Sequence, residues 1–288
     1  MQIKKALIVY NKPLYQLLIL EQKDAHYRRL FKQRHPATKN WTVAYDQHKE
    51  TLEGVYRTLV LLGIPTTQVY RKDISKIARD QLVVTVGGDG TVLETSHFID
   101  QQILLGVNGA PVESTGALCH TRLETFLTTM VDLMTGKLKP TRVPRLKVTI
   151  GKKVLPQPAL NEVLFANRSP AGTSRYLIQI GKQIEEHKSS GVWVATGAGS
   201  TAAMRSAGGK VQKANVGGMQ YWVREPLILP GNKLKILKGS LAPGKKISFT
   251  PTTRQSAVFI DGNHVEVPVD YGDKVTVSPN YKALKMIL

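Results

Sequence analysis

The stretch LVVTVGGDGTVLE, Leu82 to Glu94, places a carboxylate, Asp89, among the glycines Gly87, Gly88 and Gly90. An apolar run precedes the glycines and a helix-like run follows them. A glycine-rich turn between a strand and a helix start aims backbone N–H groups and the positive end of a helix dipole at phosphate. A carboxylate in that field is repelled by phosphates unless it acts on them. It can take the proton of an attacking hydroxyl or share a divalent cation with the phosphates, and both roles belong to phosphoryl transfer to an alcohol. The loop lacks the Walker lysine and is not GxGxxG, so neither a Walker site nor a standard dinucleotide fingerprint is present. The plainer reading is a turn stabilised by an Asp-Gly pair.

Three later stretches carry chemistry of the same kind. LNEV contains Asn161 beside Glu162, an amide and a carboxylate of the sort that reads a sugar diol, or else a polar pair at a strand edge. TGAGSTAAMRSAGG, Thr196 to Gly209, offers small residues and hydroxyls to a phosphate, or packs closely as a small-residue helix. FIDGN carries Asp261 in a good hairpin-turn sequence. The seven histidines show no HExxH or paired spacing, so a zinc site is not expected.

Positioning these residues requires two kinds of scaffold. In the first hundred residues short apolar runs (ALIVY, LVVTV, ILLGV) alternate with helical periods, such as Leu52, Val55, Tyr56, Leu59 and Val60 ending near Gly63. Uniformly apolar short strands are buried on both faces, which predicts an open, mainly parallel sheet. A helix over TRLETFLTTMVDLMTG is predicted to open with a Thr121/Glu124 capping box and end at Gly136; Thr91 and Glu94 predict another box after the glycine loop. Beyond about Thr141, alternating and β-branched segments with Gly and Pro every eight to twelve residues predict a mainly antiparallel region. The expected division is an α/β Rossmann-like domain over residues 1–108, with residues 270–288 able to return to it, and a β-rich, antiparallel, sandwich-like domain over 109–269.

Composition narrows the classes. Forty basic against 21 acidic residues give a net charge of +19, which attracts polyanions. The basic residues come singly or in pairs, as at Lys4-Lys5 and Lys245-Lys246, with no basic arm, zinc-finger spacing or RNA-recognition motif. A basic surface around an anionic-ligand site is favoured over a dedicated nucleic-acid role. No apolar run reaches the roughly 18 residues needed to span a bilayer, and the run in MQIKKALIVYN reads as a first strand rather than a secretory core. The single cysteine, Cys119, excludes an internal disulfide framework and fits the reducing cytoplasm.

Taken in order, GGDGT, GVN (Gly106 to Asn108), LNEV, TGAGSTAAMRSAGG and FIDGN resemble the motifs of the NAD kinase family. GVNGAPVESTGALC and EEHKSSGVWVATGAGS look closer to its mitochondrial and plant NAD(H) kinase branch. The chain departs from the usual pattern at Ser190-Gly191, where most members have Asp-Gly, at Ala203 in place of a tyrosine, and at Gly197-Ala198 in place of Pro-Thr. The resemblance implies transfer of the terminal phosphoryl group of ATP to the 2′-hydroxyl of the adenosine ribose of NAD or NADH. Asp89 would accept the hydroxyl proton. Gly88, Gly90, Thr91, Asn108, Ser114, Asn161, Glu162, Ser190, Thr196, Gly199, Ser200, Thr201, Ala202 and Ser206 would bind the nucleotides. Asp261 either lies near the transferred phosphate or only shapes a turn. Mg2+ is expected without a dedicated protein cage, and a homo-oligomer, dimer or tetramer, without membrane or nucleic-acid partners. Two alternatives stay open: a lipid or sugar kinase of the wider GGDG group, and a non-catalytic dinucleotide or polyanion sensor.

Overall fold

A computed structural model describes residues 2–79, 81–231, 233–263 and 265–288, with Asn280 described in its backbone only. The chain forms two compact units, Met1–Thr141 with Lys285–Leu288, and Arg142–Leu284.

The first unit carries β1 (Lys5–Tyr10), α1 (Ala25–Lys32), α2 (Trp41–Leu61), β2 (Thr66–Tyr70), β3 (Gln81–Gly87), α3 (Asp89–Ser96), β4 (Ile103–Asn108) and α4 (Leu123–Thr135). Its strands are parallel in the order β2-β1-β3-β4, and Lys285–Ile287 at the chain end add alongside β4. From β1 the chain moves outward to β2, then returns past β1 to β3 and β4. The sheet therefore has a switch point between the carboxyl ends of β1 and β3, where open α/β sheets bind ligands. Helix α2 buries Trp41, Ala44, His48, Thr51, Val55 and Leu59, a three-and-four spacing that lays one stripe on the sheet. Val55 and Leu59 join Ile8, Val84, Val86, Leu105 and Val107 in one core.

The second unit contains β5 (Thr141–Ile150), β6 (Lys153–Val154), β7 (Glu162–Asn167), β8 (Ser174–Ile180), β9 (Gln183–Ser189), β10 (Val192–Ala195), the short helix α5 (Ala203–Ser206), β11 (Met219–Val223), β12 (Lys238–Leu241), β13 (Ile247–Pro251), β14 (Ser256–Ile260), β15 (Val265–Val269) and β16 (Val275–Ile287). One sheet is antiparallel throughout in the order β12-β11-β10-β7-β14-β15. A second group joins β16, β13, β8 and β9, with β5 beside β16 and β6 beside β5. Alternate residues of the two sheets, including Val163, Phe165, Val192 and Val194 of one and Tyr176, Ile178, Ile247 and Phe249 of the other, share a single core, so the sheets are packed face to face. Phe165 and Phe249 stack at 5.0 Å between centroids.

Three expectations require correction. The units meet at Thr141/Arg142 rather than after residue 108, because α4 inserts Phe126, Met130 and Leu133 into the core of the first unit. Only the last four residues return, not 270–288, because β16 up to Leu284 packs within the second unit. Neither capping box forms. Helix α3 starts at Asp89 with Gly88 at its N-cap, and Glu94 turns to Lys72 at 2.8 Å and Arg71 at 3.3 Å. Helix α4 is capped at Arg122, and the Thr121 hydroxyl instead lies 2.6 Å from that of Thr125.

Candidate functional site

In the first unit, the carboxyl ends of β3 and β4 bring together Gly88, Asp89, Gly90, Thr91, Asn108 and Ser114. Gly87 pairs with Asn108 in register, and the Gly109 N–H donates to the Gly87 carbonyl at 3.1 Å. A Cβ at Gly88 would collide with the Ser114 hydroxyl, so only glycine lets the two loops approach. The Asn108 carboxamide holds its own loop. Its Nδ2 donates to the Ser114 carbonyl at 2.9 Å, and its Oδ1 accepts from Ala110 at 3.3 Å.

Asp89 is fixed by this arrangement. Its Oδ1 accepts the Leu118 N–H at 2.7 Å and its Oδ2 the Ala117 N–H at 3.0 Å. Two of about four acceptor positions on the carboxylate are taken, which orients it and leaves one on each oxygen for a ligand. This answers the repulsion raised by the sequence: two backbone dipoles from the loop after β4 offset the charge. Beneath the loop lies buried His48, whose pKa burial pushes down to about 4, so the ring is neutral and its Nε2–H donates to the Val86 carbonyl at 3.3 Å. The Cys119 thiol is pushed up to about 12, first by burial and then by the Asp89 charge. Asn11, at the end of β1, was missed by sequence reasoning. Its Oδ1 is buried without a hydrogen-bond partner beside Gly87, at the switch point. The strand ALIVY directly before it, with the switch-point rule, is the signal that could have found it.

In the second unit, Asp261 is 1% exposed and sits at a positive φ of 52°, which Asp tolerates better than most residues. Its carboxylate faces inward and accepts the N–H groups of Leu160 at 2.9 Å, Asn161 at 2.7 Å and Glu162 at 3.2 Å. The late aspartate thus pins the amide–carboxylate pair. Asn161 and Glu162 are each 6% exposed, and Asn161 Oδ1 and Glu162 Oε2 are buried atoms with no hydrogen-bond partner. Burial, and next the Asp261 charge, push the Glu162 pKa up to about 8.

The glycine-rich segment wraps this pair. Thr196 Oγ1 donates to the Leu160 carbonyl at 2.6 Å and accepts the Gly199 N–H at 3.0 Å. A Cβ at Gly199 would strike the Asn161 carbonyl. Ser200 is fully buried, and its hydroxyl donates to the Gly197 carbonyl at 2.6 Å and accepts the Gln212 N–H at 2.8 Å. Thr201 and Ser206 are exposed and Ala202 half-buried on the turns that follow. Ser190 is not brought to this cluster. It precedes β10, whereas Thr196 follows it, a separation of six residues or about 20 Å along a strand. Among the described residues, no group of three His, Cys, Asp or Glu side chains could hold a metal ion, and no helix is long and apolar enough to cross a membrane.

No protein-family model matches the chain. A probable NADH kinase of Oryza sativa is 34% identical over 264 residues, covering 84% of this chain and 81% of its own. An NADH kinase of Arabidopsis thaliana is 32% identical, covering 84% and 83%. Two solved structures share the fold. An NAD kinase from Archaeoglobus fulgidus in complex with ATP has a TM-score of 0.68 at 19% identity, covering 99% of this chain and 93% of that one. Yeast NADH kinase complexed with NADH has a TM-score of 0.70 at 16% identity, covering 99% and 84%.

Proposed function

We infer the reaction from the family to which this chain belongs, the NAD(H) kinases: it is a phosphotransferase that phosphorylates NAD(H) with ATP. Membership displaces the lipid-kinase, sugar-kinase and non-catalytic alternatives. The acceptor is the 2′-hydroxyl of the adenosine ribose and the product NADP(H).

The observation that carries this reading is the pair of buried, partnerless oxygens on Asn161 and Glu162. A buried polar atom without a partner costs about 1–3 kcal/mol, and a ribose diol offers the two donors that would remove that cost. Asp89, already oriented by Ala117 and Leu118, accepts the proton as the hydroxyl attacks. The first N–H groups of α3, at Asp89 and Gly90, have no partner within the helix and face phosphate oxygens, whereas the Thr91 N–H donates to the Gly88 carbonyl at 2.9 Å. Thr196 and Gly199 shape the loop against Asn161, and the exposed Ser206 offers a hydroxyl to ligand phosphates. The Thr201 hydroxyl instead donates to the Ala198 carbonyl at 3.3 Å and the Ala202 N–H to the Gly199 carbonyl at 3.1 Å.

The donor set fits magnesium, which takes one or two carboxylates, water and substrate phosphates rather than a closed protein cage. Asp89 would supply the hard oxygen, and an ion held there with the substrate phosphates would neutralise charge on the transferring group. Asp261 acts by holding the 160–162 backbone. The edge strands β12 and β15 offer unpaired backbone to a second copy, which supports a homo-oligomer, and the free Cys119 supports the cytoplasm. The test is product analysis. Purified protein with ATP and magnesium should convert NAD or NADH to the 2′-phosphorylated dinucleotide, and no such product from either would refute the reading.

A further inference from the structure

The second unit has a cavity of about 270 Å3 on the outer face of its six-stranded sheet. Cross-strand register lines up Trp193, Leu164 and Phe259 as its floor, all on the face turned away from the core. Glu162 belongs to the same face, one pair of residues along β7 from Leu164, and Gly262 beside Asp261 lines the cavity as well. The cavity thus lies on the same sheet face as Glu162, whose Oε2 is buried without a hydrogen-bond partner. Its far end is closed by Arg224. That guanidinium lies over the Trp193 ring, 5.6 Å from its centroid, and gives one N–H to the Ser190 carbonyl at 3.3 Å. Arg168, also in the lining, is paired with Glu266 at 2.6 Å. Among the described residues no acidic side chain lines the cavity to offset the Arg224 charge.

We propose that this cavity takes the nicotinamide end of the acceptor and that Arg224 makes it select the reduced dinucleotide. The inference rests on the kinase reading above and concerns the redox form of its substrate. An oxidised nicotinamide ring carries a positive charge and is repelled by the guanidinium. The face of Trp193, which would otherwise attract a cationic ring, is already covered by Arg224. The reduced ring is neutral. Its ring nitrogen donates electron density through the conjugated system to the carboxamide oxygen, making that oxygen a stronger acceptor for the spare guanidinium N–H groups. Both effects favour NADH. A unit-charge repulsion at about 6 Å in a half-exposed site corresponds to about tenfold discrimination.

The experiment compares kcat/KM for NADH and NAD in the parent and in Arg224→Gln and Arg224→Lys. The parent should prefer NADH. Arg224→Gln should lower the NADH-to-NAD ratio about tenfold, and Arg224→Lys, which keeps the charge, should hold it within about threefold. ADP-ribose, which lacks the nicotinamide ring, should inhibit the parent and Arg224→Gln equally, an equality that a merely structural role for Arg224 would not give. A parent without preference, a ratio unchanged in Arg224→Gln, or an ADP-ribose constant that moves with the ratio would overturn the inference. A parent that phosphorylates neither dinucleotide would instead overturn the kinase reading.

Discussion

The two candidate sites, one in each unit, treat their polar groups in opposite ways. In the first unit Asp89 and Asn108 are occupied by backbone groups of neighbouring loops, so the carboxylate is held in position by the protein itself. In the second, Asn161 and Glu162 are held by their backbones through Asp261 while their side-chain oxygens are left buried and unpaired. One region is preorganised by its own hydrogen bonds; the other leaves buried oxygens that a ligand can complete. Damage to the first should therefore fall on turnover, and damage to the second on binding.

The largest effect is expected from Asp89→Asn, with kcat lower by about 10²–10⁴ and dinucleotide binding largely kept. The new amide also turns a donor towards one of the N–H groups of Ala117 and Leu118, at a cost of about 1–3 kcal/mol, so a thermal melt must accompany the kinetics. A variant that folds and turns over at the parent's rate would remove Asp89 from the reaction. Next, Asn161→Ala should raise KM for the dinucleotide about tenfold with kcat changed far less. An unchanged KM would break the contrast between the two regions.

Glu162 sharpens it through pH. Ribose hydroxyls donate to the ionised carboxylate, so dinucleotide binding should tighten as pH rises towards about 8 and level off above. Titration calorimetry from pH 6 to 9 would show this, and Glu162→Gln should flatten the profile. Stability runs the other way. The folded pKa is raised above the unfolded value, so the group's favourable contribution is complete below about 4.5 and is lost as pH rises through about 8. Glu162→Gln should therefore gain about 1 kcal/mol, or 2–4 °C in Tm, over the parent at pH 8.5, and little at pH 5. The smallest effect lies back in the first unit. Its high pKa should make Cys119 react with a thiol reagent at pH 8 far more slowly in the folded protein than after unfolding.

Much of this molecule was legible from local pattern. Uniformly apolar runs gave the parallel strands, alternation gave the sandwich, and the ordered motifs gave the family. Boundaries and caps were not. Thr121 and Glu124 have the right types and spacing for a capping box, yet the hydroxyl finds Thr125 once α4 is docked. Asp261 reads locally as a turn former, and it is one, but the sequence carries no sign that its carboxylate holds residues a hundred positions earlier. Ser190, grouped with the binding residues by motif order, lies at the other end of β10 from Thr196, where it lines the cavity on the outer sheet face.

The chain's residue types and their spacing determined which chemistry is available: a carboxylate in a glycine loop suited to phosphate, and an amide beside a carboxylate suited to a sugar. Those are properties of neighbours in sequence, set by sterics and side-chain chemistry within a few residues. The tertiary structure alone decided which of these groups are spent on the protein and which are left for a ligand. Hydrogen bonds between distant segments hold Asp261 and half-saturate Asp89, and burial leaves one side-chain oxygen each of Asn161 and Glu162 without a protein partner. That allocation depends on three-dimensional proximity and exclusion of solvent, neither of which is written in any short stretch of the chain.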